Sequence, residues 1–209
     1  MLFGLVVVFP LHFTIQSAFK RRERALEYFS LFKGRLMALY YSINIAEDLT
    51  PEKKQEGTNL LKRVSDQVAQ QLEAREGSYE LTQRKLNEVY TFIQANLEEL
   101  SKRNVIKMIR YMSDVTDSTT YLITSITHHR TIAGLRFYSI FFILVFPFLH
   151  APILLSRLEG LVSIPVFYVL AGVVSILLVT LNNFQTMIEY PFDPKGVDNV
   201  KLKEFKLDV

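Results

Sequence analysis

The chain has no cysteine and no tryptophan. Without cysteine it forms no disulfide, no thiolate metal site and no thiol nucleophile. Without tryptophan, an aromatic belt at a membrane surface falls to its ten Tyr and sixteen Phe. A large charge surplus is missing too. The net charge of +3 over 209 residues gives no basic face of the kind that binds nucleic acid. Catalytic signatures are absent: there is no G-x-S-x-G, no H-E-x-x-H and no glycine-rich phosphate loop. We therefore expect no enzyme, no cofactor and no metal. No run alternates apolar and polar residues between turn signals, so little or no strand is expected. No internal repeat or low-complexity tract is visible.

Charge is also unevenly missing. Residues 20–133 hold 18 of the 24 Lys and Arg, whereas residues 134–183 hold only Arg136 and Arg157. Such a split describes a membrane protein with a polar domain rather than a uniform globule. Three stretches approach the ~20 apolar residues that a bilayer requires. They lie in residues 1–19, 134–155 and 161–183. The first runs straight into Lys20-Arg21-Arg22. A cleaved signal peptide has the opposite order, basic before apolar. The first stretch is thus read as a retained span, and its start at Met1 leads us to expect a helix upstream or a processed start.

The loop 156–160 is too short for a domain, so the last two spans form a hairpin. Lys and Arg concentrate in residues 20–133 and 184–209, which places both on the cytosolic, stromal or matrix side. Met1 and the loop 156–160 then face the other side. The plasma membrane and organellar (mitochondrial or thylakoid) membranes remain equal candidates.

Residues 20–133 read as helices. Ala25–Ile45 carries Leu26, Phe29, Leu36, Leu39 and Tyr40 at helical spacing. Thr50-Pro51-Glu52 is a helix start, with a capping hydroxyl, proline in the first turn and an acid beside it. A helix over about 51–75 follows, broken at Glu76-Gly77-Ser78. The next covers about 79–100, with Leu81, Leu86, Val89, Ile93, Leu97 and Leu100 as its apolar stripe. A fourth runs from about 105 to 128, with Ile106, Ile109, Met112 and Val115 on one face. Residues 184–209 read as a turn-rich tail ended by two prolines and a glycine.

Leu5, Phe9 and Phe13 are spaced four apart and share one face of the first helix. Two readings stay open on spacing alone. The face packs on other helices or lipid, or several copies ring an axis and make an apolar constriction that gates by dewetting. Pro10 has no N–H for the Val6 carbonyl, and a kink is expected there. His12, Gln16, Asn182 and Asn183 fit interhelical hydrogen bonds or a water-filled cavity. His128-His129-Arg130 reads as a cation cluster beside the second span. Glu47-Asp48, Glu98-Glu99, Asp114 and Asp117 read as solvated surface.

Three stretches together resemble the bestrophin and bestrophin-like family of pentameric anion channels. One is the first span running into Phe13-Thr14-Ile15-Gln16-Ser17-Ala18-Phe19-Lys20-Arg21. It is similar to the family's pore helix and its aromatic-x-Arg signature. Another is the helical region followed by a two-span hairpin opening on Arg136-Phe137-Tyr138-Ser139. The last is Ile188-Glu189-Tyr190-Pro191-Phe192-Asp193, similar to the family's Asn-Pro-Phe turn after the last span, with Asp198 near its end.

Tyr190 replaces the family's Asn, and Lys195 and Gly196 dilute the acidic run. The resemblance accordingly implies no calcium clasp of the animal type. The family's first transmembrane helix has no counterpart in this chain. What the resemblance implies is an all-α membrane protein, bestrophin-like, with three transmembrane helices and a cytosolic helical domain. Leu5, Phe9 and Phe13 would form the pore neck. Lys20, Arg21 and Arg22 would attract anions at the inner mouth. Pro191, Phe192, Asp193 and Asp198 would form the C-terminal turn. Expected partners are membrane lipid, small anions such as chloride, and four further copies in a homopentamer. The rival expectation is a non-conducting accessory or scaffold subunit of a larger organellar membrane complex.

Overall fold

The structure is a computed structural model. It describes residues 2–74, 79–126, 140–141, 156, 164–188, 190, 192, 200, 202 and 206–207. Among these residues every regular element is helical and there is no strand. The helices are α1 (Leu2–Ile45), α2 (Pro51–Ala74), α3 (Tyr79–Ala95), α4 (Lys102–Thr120) and α5 (Ile164–Ile188). A π-helical turn, Tyr121–Ile126, follows α4 directly. The chain divides into two compact units. One comprises Met1–Arg22 with Arg130–Tyr190, the other Glu23–His129 with Pro191–Val209.

The helix α1 has 44 residues, about 66 Å at ~1.5 Å per residue. It stays helical through Pro10. Its buried side runs Thr14, Ala18, Ala25, Phe29, Phe32, Leu36, Leu39, Ile43. These positions recur every three or four residues, or in one case seven, which is the spacing of a single helical face. The apolar pattern read from Phe29, Leu36 and Leu39 is therefore the face that packs.

The second unit is a bundle of helices around the part of that seam from Ala25 to Ile43. Leu61, Val64, Val68 and Leu72 bury the inner face of α2, and Leu86, Val89, Phe92 and Ile93 that of α3. Met108, Met112 and Val115 do the same for α4, with Leu122 and Ile123 from the π turn. Each such side chain contributes about 1.5–3 kcal/mol by leaving water. Gly57 lets α2 come close: a Cβ there would stand 3.0 Å from the Phe92 ring and 3.1 Å from the Ile43 methyl.

The start of α2 follows its sequence signals. The Thr50 carbonyl accepts from the Lys54 N–H at 3.0 Å, and its hydroxyl from the Lys53 N–H at 3.4 Å. The carboxyl of Glu52 is lowered from its ordinary value, chiefly by a hydrogen bond from its own backbone N–H and then by one from Thr50. Free N–H groups at a helix start favour the charged carboxylate.

Two helix bounds in this unit are corrected. α3 ends at Ala95 rather than near residue 100. Asn96 is buried and its amide donates to the Phe92 carbonyl at 2.8 Å. Its own carbonyl takes the N–H groups of Glu99 and Leu100 at 3.2 and 3.1 Å. An Asn that bonds local backbone in this way competes with helix continuation. α4 starts three residues earlier than expected, because the Ser101 hydroxyl caps it by accepting from the Asn104 N–H.

The stripes also shift phase. Leu81 and Leu97 are exposed, the latter because it lies in the turn after α3. On α4 the buried line is Met108, Met112, Val115, Thr119, and Ile106 and Ile109 are exposed. Ile109 is one residue, about 100°, beyond Met108, so the two cannot share a face.

The tail carries core residues. Phe192, Val200, Leu202 and Leu207 are buried. The Phe192 ring meets Phe29 edge-on, centroids 5.8 Å apart. The Leu207 N–H donates to the Ser65 hydroxyl at 3.1 Å, and Lys206 pairs with Asp66 at 3.0 Å.

In the first unit, Phe19 of α1 and Phe184 of α5 approach with centroids 6.5 Å apart. Leu178 is buried, whereas Val166, Val169, Val173, Ile176 and Leu177 are exposed. Among the described residues no helix is long and apolar enough to cross a membrane. The expected span 134–155 lies outside the described residues except Ile140 and Phe141.

Candidate functional site

The face of α1 opposite its buried seam is the candidate site. Within the first unit, Phe9, Phe13, Gln16 and Lys20 are all exposed on this helix. They recur every three or four residues, so they form a strip along it. Phe9 and Phe13 are 55% and 49% exposed, high for such large apolar side chains. Their rings meet edge to face with centroids 5.1 Å apart, and His12 lies 6.0 Å from Phe13. That geometry suits aromatic quadrupoles. Leu5 belongs to α1, and its side chain lies outside the described residues.

The basic cluster is divided by the turn of the helix. Lys20 is exposed on the strip, while Arg21 and Arg22 are half-buried and engaged by other groups. Glu23 and Glu27 were not foreseen, and both are exposed on α1 beyond Lys20. Counting on from Phe13 by fours and threes would have found them. Of the C-terminal turn, Phe192 is a core residue, and Pro191, Asp193 and Asp198 lie outside the described residues.

Some charges elsewhere form ion pairs. Arg35 meets Asp114 at 3.0 Å and lies over the Tyr111 ring, while Lys53 pairs with Glu99. An open groove of about 740 Å³ runs between α2 and α3. Lys53, Glu56, Arg84 and Glu88 stand on its walls with Leu60 and Phe92 among its lining. Its cations and anions are mixed, and no nucleophile stands beside a base. Among the described residues no group of three His, Asp or Glu is placed to hold a metal. His128 and His129 lie outside them.

No protein-family profile matches the chain, and no curated protein matches its sequence. Solved structures do match. The crystal structure of a bacterial bestrophin homolog from Klebsiella pneumoniae aligns with a TM-score of 0.80 at 14% identity, covering 98% of this chain and 81% of that one. Two single-residue variants of that homolog align at TM-scores of 0.79 and 0.80, at 13% and 12% identity, with the same coverage. The chain has the fold of the bacterial bestrophin homologs.

Proposed function

We propose that this chain is a bestrophin-like channel subunit, and that α1 helices from five copies ring a pore through which small monovalent anions pass. The observation that carries this is the exposed edge-to-face pair Phe9–Phe13 on a helix whose other face is buried. A soluble surface has no use for two adjacent exposed phenyl rings, whereas repetition around an axis turns them into a dry constriction. A cyclic oligomer supplies the repetition. A constriction of this kind passes ions when wetted and blocks them when dry. Lys20, on the same strip, raises the local anion concentration, while Glu23 and Glu27 lower it farther along. Discrimination against cations is therefore weak. The chain does no covalent chemistry in this scheme.

The membrane assignment rests on sequence. Ile164–Ile188 contains no Asp, Glu, Lys or Arg, and Lys195, Lys201, Lys203 and Lys206 follow its C-terminal end. The bestrophin fold agrees with it. The accessory-subunit alternative predicts one copy beside unrelated chains instead of five around an axis.

The full chain, purified and reconstituted into planar bilayers, tests the proposal. Wild type is expected to carry an anion current, and Phe9→Ala with Phe13→Ala to change its gating and raise the open fraction. Absence of current in both would overturn it.

A further inference from the structure

One face of α4 is basic, apolar and uncovered. Lys102, Arg103, Ile106, Lys107, Ile109 and Arg110 are all exposed, Ile106 at 69%. No acid occurs between residues 100 and 113. Among the described residues no ion pair engages these four cations. Cations around an exposed isoleucine pair describe a contact surface rather than a solvated one.

Its complement is present in the same unit. At the C-terminal end of α1, Tyr41 and Ile45 are exposed, the latter at 74%, and the exposed Glu47 and Asp48 follow. The two patches lie at one height. Arg35 bonds Asp114, and Tyr28 stacks on Tyr121 with centroids 3.7 Å apart. Seven residues down α1 thus match seven residues up α4, and the helices run antiparallel in register. Carried on, that register sets Tyr41 level with Met108 and Ile45 level with Asn104. Cyclic symmetry requires this. A rotation about an axis along the bundle moves no residue up or down, so only patches at one height meet in a ring.

We infer that the basic, isoleucine-bearing face of α4 docks on the acidic, aromatic end of α1 in the next copy of this chain. The contact is heterologous: two different faces meet, and each copy keeps one of each available until the ring closes. Ile106 and Ile109 pack on Tyr41 and Ile45, and Arg103 and Lys107 face Glu47 and Asp48. The inference rests on the ring proposed above and names the surfaces that build it.

The test uses the full chain in detergent, with oligomeric mass read by light scattering. Arg103→Glu with Lys107→Glu is expected to weaken assembly about tenfold at low salt, and Glu47→Lys with Asp48→Lys to do the same. The four-fold variant, with both faces reversed, restores it. Raising salt weakens wild type, since screening shortens from ~10 Å at 0.1 M to ~3 Å at 1 M. All four positions are exposed, so the variants keep wild-type helical content by circular dichroism. Rings indifferent to either reversal, or a four-fold variant as impaired as its parents, would overturn the contact. An assembled ring that stays silent in bilayers would overturn conduction and leave the contact standing. A wild type that is monomeric at every salt concentration overturns both.

Discussion

Gly57 sits where α1, α2 and α3 come together. In an exposed helix an alanine there would gain about 1 kcal/mol of helix propensity. Here its methyl would press on the Phe92 ring and the Ile43 methyl at 3.0–3.1 Å. Overpacking of that kind costs about 1–3 kcal/mol. The packing term is the larger, because Phe92 and Ile43 are themselves buried. Gly57→Ala is expected to lower the denaturation midpoint of the full chain, read by circular dichroism. A rise would mean that the ring yields freely. Sequence showed a glycine in a helical pattern but not the ring above it. Lys20, Arg21 and Arg22 make the same point for the strip. Three adjacent cations look alike in sequence, yet the helix turns about 100° per residue and leaves only Lys20 on the strip.

At the scale of elements, existence was legible and phase only in part. Thr50-Pro51-Glu52 announced α2, and the apolar spacing of Phe29, Leu36 and Leu39 announced the buried side of α1. The stripe of α4 was misassigned because the most apolar residues, Ile106 and Ile109, are not the buried ones. The core needs side chains in one phase, and Met108, Met112 and Val115 supply it with softer residues. The tail was read as turns because its prolines and glycine dominate locally. Its packing is tertiary: Phe192 reaches Phe29, about 160 residues away in sequence. Phe192→Ala is expected to destabilise the unit Glu23–His129 with Pro191–Val209 by about 3–5 kcal/mol. Chemical denaturation of the full chain reads this, and a loss below ~1 kcal/mol would show the tail to be a passive cover.

At the scale of the molecule, an identity of 12–14% with the matched structures carries almost no residue-level information. The fold is nevertheless shared over 98% of the chain, because helix lengths and buried faces are set by pattern rather than by particular residues. The pattern that pointed to the site, aromatic residues four apart, on spacing alone favours packing, and the pore reading comes from the family resemblance. Phe9 and Phe13 are both exposed in the described chain, so what covers them is decided by a measurement on the assembled protein. A chain without cysteine allows a direct test of what they face. Phe13→Cys places the single thiol of the protein on the strip, and wild type has none to react. Current through reconstituted Phe13→Cys is measured before and after a methanethiosulfonate reagent. Occlusion of a pore at this ring predicts a drop of several-fold that wild type does not show. An unchanged current after full labelling would contradict the claim that this face of α1 lines the pathway.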